Sequence, residues 1–407
     1  MIERYIIYRT VFSSGERFPV LLYRDTYQPV LLPTRYVIDQ RRESKQSGTI
    51  DRDLRVLGWF YEWGDKRGID IEARLREGKL FTQAEITGFC RYLRARRTDN
   101  LIGSIGTQNE KQLGEKDTKE ITSILAPATF NSYTGVIKDF LIWAAYEFIP
   151  RATPSSEIED TVGTALNRLT GAFRSNHKSG KGHANRKGLT REEIDEIRKI
   201  ITPGSKLNPF KKSVQFRNQL IFDLKIATGI RRGELLKIKL KHLPSGPKTT
   251  LHIERAPDDK EDSRKREPQV KTNERDIPLP KHLRVNLWKY VQKHRKRGNH
   301  TYLITSNRTG APLDAAGVNW IFSFLVEKCL PHLKGKLYPH ALRHTFNNGF
   351  LEQAESLGLK EDLIKEVQRY INGWSEESKM PELYSRRLIE AQALQVAEKF
   401  QDNLYVF

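Results

Sequence analysis

Three short segments in the second half of this sequence gather residues able to handle a phosphate. Ala227-Thr-Gly-Ile-Arg-Arg-Gly-Glu-Leu-Leu236 sets two arginines just after a glycine that permits a tight turn into the following helix. A guanidinium's rigid fork suits bidentate contact with phosphate oxygens. In His340-Ala-Leu-Arg-His-Thr-Phe346, His340 and Arg343 are three apart and share a face if the segment is helical. Presented together, the arginine would stabilise charge on a phosphate while the histidine hydrogen-bonds to it or moves a proton. Ile371-Asn-Gly-Trp374 and Met380-Pro-Glu-Leu-Tyr384 add an indole and a phenol. Each piece alone means little, since arginine turns are commonly solvated corners, and single histidines or tyrosines commonly serve packing.

Folded elements must hold these side chains, and the composition allows it. A chain of 407 residues suggests roughly two or three domains, and 38% hydrophobic residues exclude a wholly disordered or collagen-like chain. No run approaches the ~18–20 apolar residues of a membrane span; the best, Phe140 to Ile149, is short and carries Glu147. The N-terminus lacks the basic-then-apolar pattern of a secretory signal. Two cysteines, Cys90 and Cys329, are too few for a disulfide framework and fit a reducing compartment, the bacterial cytoplasm in the family reading below. No His, Cys, Asp or Glu spacing suggests a metal site, and no cofactor is expected.

The formal charge of +20 is local. Residues 201–350 carry 30 basic and 12 acidic groups, a net of +18. Residues 1–200 carry 33 and 27, and residues 351–407 carry 7 and 11, for nets of +6 and −4. A localised excess suits a nucleic-acid surface. No basic amphipathic helix with an aromatic opposite face appears, so a membrane partner is not expected.

Along the chain, residues 1–48 read as a small extended, arm-like region. Arg17–Tyr23 and Val30–Val37 are punctuated by prolines, which favour edge strands or loops. Helical spacing follows at Thr49–Trp63, Thr82–Arg96 and Thr129–Phe148, which makes residues 49–150 a helical domain. Within it, Thr98–Thr122 is polar and reads as a mobile loop. Residues 151–188 read as a basic linker region, most clearly in Ser175–Gly188, which contains no acid. A domain boundary near residue 185 precedes the capping box Thr190-Arg-Glu-Glu193, which opens the domain 189–407. That domain mixes helices with a strand pair near Thr250–Ala256 and Pro268–Leu279, separated by the charged turn Asp258–Arg266.

Taken together and in order, the pieces resemble the tyrosine recombinase (phage integrase) family. Its pattern is an arginine in a T-G-[LI]-R-x-[SG]-E-L segment, an H-x-L-R-H box, a G-[HW] pair and a terminal tyrosine. The matching stretches here are Thr228–Leu235, His340–His344, Gly373-Trp374 and Tyr384. The resemblance implies a multi-domain, mainly helical fold. A helical core-binding (SAM-like) domain at 49–150 and a mixed α+β catalytic domain at 189–407 would form a C-shaped clamp on double-stranded DNA. It also implies roles. Arg231 and Arg343 would clamp the scissile phosphate, with Arg232 competing for the first place, although Arg231 keeps the family spacing to Glu234. Glu234 would orient Arg231, and His344 would support the box. His340 and Trp374 would hydrogen-bond or pack around the phosphate, tryptophan standing where histidine is commoner. Lys271 matches the hairpin lysine that protonates the leaving 5′-oxygen, with Arg266 and Arg275 close by. Tyr384 would be the nucleophile of a 3′-phosphotyrosyl intermediate formed without metal or ATP.

One departure stands out: Trp374 and Tyr384 are ten positions apart where the family usually has nine, and Pro381 lies just before the tyrosine. Tyr370 precedes the Gly-Trp pair and is a poor substitute. The tail Arg386–Phe407 has Leu388, Ala391, Leu394, Val396 and Ala397 at helical spacing, and either packs on its own domain or docks on a neighbouring protomer. The second choice implies a homo-tetramer on DNA attachment sites and a monomer when free. The expected function is site-specific recombination or integration of a mobile element at the nucleoid. A type IB topoisomerase-like enzyme and a catalytically idle DNA-binding protein of the same fold are the alternatives.

Overall fold

The computed structural model describes residues 4–95, 125–152, 157–180, 188–382 and Tyr384. The loop Thr98–Thr122 and the tail Arg386–Phe407 lie outside them. The described chain is mainly helical, with two two-stranded antiparallel sheets. It divides into two compact units, one of Met1–Phe12 and Arg17–Gly182, the other of Ser13–Glu16 and His183–Phe407.

In the first unit, strands β1 (Tyr5–Val11) and β2 (Arg17–Tyr23) pair from Tyr5 opposite Tyr23 to Val11 opposite Arg17. Helices α1 (Leu31–Gln40), α2 (Ser47–Asp65), α3 (Ile71–Arg76), α4 (Gln83–Ala95), α5 (Pro127–Ala152) and α6 (Ile158–Asn176) follow. Helix α2 buries Ile50, Leu54, Leu57 and Tyr61, spaced by four, three and four residues, and also Val56, Phe60 and Trp63 beside that stripe, so it is packed on more than one side. Phe60 sits at the centre, with the rings of Phe81 and Phe89 each 5.1 Å away and the indole of Trp63 stacked at 5.7 Å.

Three expectations about this half change. Residues 1–48 are not a separate extended arm, because Tyr5, Phe18, Leu21, Tyr36 and Val37 belong to the same core as Phe60 and Phe140. Val30–Val37 is the start of helix α1 rather than a strand. Pro33 falls in the first turn, where no intrahelical N–H is required, so the proline is tolerated there. The region 151–188 is not all linker, since α6 occupies Ile158–Asn176. Val162, Leu166, Leu169 and Phe173 form an apolar stripe that a polar overall composition conceals.

The second unit opens on α7 (Arg191–Ile201) with the expected capping box. The Thr190 amide donates to Glu193 Oε2 at 2.8 Å and the Glu193 amide to Thr190 Oγ1 at 3.3 Å. Then come α8 (Lys212–Thr228), α9 (Arg232–Lys237), β3 (Thr250–Ile253), β4 (Arg275–Pro278), α10 (Lys281–Lys289), α11 (Ala315–Lys328), α12 (Ala341–Ser356) and α13 (Glu361–Asn372). Strand β3 pairs with β4, Thr250 opposite Pro278 and Ile253 opposite Arg275. One core gathers Leu220, Leu224, Leu235, Leu251, Ile277, Phe322 and Leu342.

The charged segment between β3 and β4 is anchored from inside. Lys237, buried, is bonded to Glu267, while Lys239 Nζ meets Asp259 at 2.7 Å and the Tyr302 hydroxyl donates to Asp259 at 2.6 Å. Arg264 makes a two-pronged pair with Asp262 at 2.7 and 2.8 Å and donates to the Leu313 carbonyl at 2.7 Å. Burying such charges is tolerable because each meets an opposite charge or a carbonyl.

The centre of the first unit supplies a test. Phe60→Ala should lower its stability by about 3–5 kcal/mol through lost burial and a residual cavity. In urea titrations of the full chain this appears as an earlier unfolding transition for that unit, and an unchanged midpoint would contradict the packing described.

Candidate active site

The turn after α8 positions the first arginine. Helix α8 stops on Gly229, whose φ of +62° is left-handed and whose Cα faces the Phe346 ring so closely that a Cβ would lie 2.3 Å from it. Two residues later Arg231 forms the N-cap of α9, and its amide donates to Glu234 Oε2 at 2.9 Å. Lys225, fully buried one turn earlier, donates to the Ile230 carbonyl at 2.8 Å and so fixes the turn from beneath. Burial brings its pKa down to about 7, with Arg343 and Arg232 adding to the fall.

Glu234 is the hub. It is 1% exposed and accepts from Thr272 Oγ1 at 2.6 Å and Arg275 Nη2 at 3.0 Å, with Arg231 Nη1 3.5 Å away. Burial alone would raise its pKa, but Arg275, Arg343, the Thr272 hydroxyl and the Arg231 amide together take it to about 2. Arg275 continues the connection by donating from Nε to the Ile371 carbonyl at 2.8 Å. Its Nη1 lies so near Gly373 that a Cβ there would meet it at 2.6 Å. Arg275 was legible only as a charge near Lys271. Its parity with the buried Ile277 and Leu279 is the signal that it points inward.

Arg343, on the first turn of α12, is 1% exposed and spans two helix ends. It donates to the Gly229 carbonyl at 2.8 Å and to the Asn372 carbonyl at 3.3 Å. Burial first, and then the charge of Arg231, lower its pKa to about 9, and it stays protonated at neutral pH. Its guanidinium lies 5.5 Å above the ring of Trp374, which directly follows the left-handed Gly373 at the end of α13. The Trp374 Nε1–H is buried and meets no hydrogen-bond partner among the described residues.

Tyr384 is buried, and its ring stacks on Trp374 with centroids 5.8 Å apart and planes 16° from parallel. The ten-residue interval is therefore spanned. Met380, Pro381, Glu382 and Tyr384 are helical, which places Pro381 in a first turn that accommodates it. His344 Nδ1 is 3.0 Å from the Tyr384 hydroxyl. His340 is exposed, its ring 4.8 Å from that of His344. Desolvation of its ring, then His344, Arg343, Lys225 and Arg231, push its pKa down to about 4, so it is neutral at neutral pH.

Lys271 stands apart from this cluster, exposed on the wall of a cleft of about 720 Å³ that Arg231, Arg232, Arg266 and His340 also line. Arg232, within the same cleft, donates to Asn319 Oδ1 at 2.7 Å. Among the described residues no three His, Cys, Asp or Glu side chains come together as a metal-binding group, and no helix is long and apolar enough to cross a membrane.

Residues 187–362, which hold Arg231, Lys271, His340 and Arg343, match the family model described as "Phage integrase family". The tyrosine recombinase XerC of Staphylococcus epidermidis is 29% identical over 159 residues, 39% of this chain and 48% of that protein. Over this region the chain is similar to tyrosine recombinases. A second XerC, from Anoxybacillus flavithermus, is 26% identical over 175 residues, 42% of this chain and 51% of that one. The chain thus spans about half the length of the curated relatives it matches. In fold, it resembles the Tn1549 transposon integrase solved with a circular intermediate DNA, with a TM-score of 0.50 at 15% identity over 89% of this chain and 98% of that one. The XerH site-specific recombinase bound to its difH substrate gives the same TM-score and identity over 89% and 84%. Both agree with a tyrosine recombinase fold.

The buried hub makes a prediction about pH. Because the folded pKa of Glu234, about 2, lies below its ordinary 4.5, its contribution is present above pH 4.5 and is lost as pH falls towards 2. The shift corresponds to about 3 kcal/mol. Glu234→Gln should flatten the acid limb of the second unit's stability, as followed by chemical denaturation between pH 5 and 2, whereas an unchanged limb would place the acid sensitivity elsewhere.

Proposed function

We propose that this protein is a site-specific DNA recombinase or integrase that cuts and rejoins strands through Tyr384. The observation that carries the reading is the convergence on that phenol of Trp374, stacked against it with an unsatisfied N–H, and of Arg343 over the same indole. A buried donor without an acceptor is costly, and a phosphate oxygen arriving between Trp374 and the two arginines would satisfy it. Arg231 and Arg343 would hold the non-bridging oxygens and stabilise the pentacoordinate transition state. Neutral His340 would donate a hydrogen bond to the same group, and Glu234 would hold Arg231 in place.

In the cleavage step the Tyr384 oxygen bonds to phosphorus and the bond to the 5′-oxygen breaks. Lys271, on the cleft wall, would give that oxygen its proton. The energy of the phosphoester stays in the 3′-phosphotyrosyl bond, so an incoming 5′-hydroxyl can reverse the reaction without a nucleotide cofactor. The partner is double-stranded DNA at attachment sites, held in part by the basic surface. Six of the 30 basic and three of the 12 acidic groups in residues 201–350 are buried, which still leaves a net of +15 on the remainder. Helical residues 49–150 and the 189–407 region would each contribute contacts to the duplex. Four copies, free monomers brought together on DNA in the bacterial cytoplasm, would carry out the exchange that moves a mobile element.

A nicked suicide duplex taken from the DNA flanking the gene tests this. Wild-type protein should become attached to the 3′ side, Tyr384→Phe should bind without attaching, and affinity should fall steeply with salt. An adduct formed by Tyr384→Phe would overturn the nucleophile assignment. Joined product between two duplexes separates recombination from relaxation by a topoisomerase-like enzyme.

A further inference from the structure

A phenol has a pKa near ~10, so a tyrosine nucleophile at neutral pH must lose its proton during attack. Arg231, Arg343 and the Trp374 indole carry N–H donors and no lone pair able to receive it. The two histidines at the start of α12, the N-cap His340 and His344 four residues on, divide instead. His340 lines the cleft, and desolvation of its ring, then His344 and the cations of Arg343, Lys225 and Arg231, make it a poor proton acceptor. His344 faces inward, is 7% exposed, and sets Nδ1 3.0 Å from the Tyr384 oxygen, within the reach a general base needs.

We propose that His344, rather than His340, is the general base that takes the Tyr384 proton. This rests on the reading of Tyr384 as nucleophile. Neutral His344, protonated on Nε2, accepts the hydroxyl proton at Nδ1 as the oxygen–phosphorus bond forms. The bond to the 5′-oxygen breaks, and that oxygen takes its proton from Lys271. On rejoining, the 5′-hydroxyl returns its proton to Lys271 and the imidazolium returns the other to the tyrosine. Among the described residues, those facing the His344–Tyr384 pair include His340 at the N-cap of α12, Arg343 on α12, Trp374 after α13 and Arg231 at the start of α9. The two arginines favour the phenolate, so the base works against a lowered demand.

The test is single-turnover adduct formation by the full chain on the nicked duplex, measured from pH 6 to pH 10. His344→Asn keeps an acceptor near Nδ1 but cannot hold the proton. It should be slower by roughly 10²–10⁴-fold at pH 7, bind DNA normally, and recover as pH approaches the phenol's own pKa. His344→Ala should be slow too and be rescued by added imidazole. Rates for His344→Asn within threefold of wild type, or slowed equally at every pH, would overturn the proposal. So would loss of folded protein in both variants, which would assign His344 to packing. Adduct formation by Tyr384→Phe, or none by wild type, would instead remove the underlying reading.

Discussion

The second unit depends on one buried carboxylate. Glu234 is the common acceptor for the cap of α9, the Thr272 hydroxyl and the Arg275 guanidinium, and through Arg275 it reaches the carbonyl of Ile371. Segments 38 residues or more apart in sequence thereby share one charge. Such a group is expensive to desolvate, and only a full set of donors makes it stable. Its stabilisation in the ionised form reflects how completely those donors surround it. The arginine that meets substrate in our reading is held by the same carboxylate, so stability and chemistry draw on a single interaction.

What the sequence disclosed follows from the scale of the signals. Arg231, Glu234, His340, Arg343 and Trp374 lie in compact motifs whose spacing is set by a turn of helix or a tight corner, so local pattern was enough to single them out as candidates. The long helices of the first unit announced themselves by apolar spacing. Where the reading departed, composition had stood in for geometry. Pro33 suggested a strand edge and instead occupies a first helical turn, and the polar background of 158–176 hid a four-residue apolar stripe. Arg275 and Lys225 were invisible as internal groups because a charged residue is assigned to solvent by default. Only the three-dimensional placement of their partners reverses that default.

The basic excess looks different for the same reason. Arg217, Lys225, Lys237, Arg264, Arg275 and Arg343 are interior residues that hold carbonyls, carboxylates and an amide oxygen. Part of the charge that suggests a polyanion is structural scaffolding, and the remainder, Lys271 among it, stays exposed. Net charge alone does not separate these two uses of lysine and arginine. Burial does.

Arg343 holds the carbonyls at the ends of α8 and α13, just where left-handed Gly229 and Gly373 release the chain. Those carbonyls are the negative poles of two helices, which suits a guanidinium kept out of water. Because one rigid planar group grips both, the corner that presents Arg231 and the corner that presents Trp374 are built as a single jaw. Displacing either helix end would drag the other with it. The spacing of the phosphate-binding groups is then a property of a guanidinium's own dimensions, insulated from whatever the longer loops of the domain are doing.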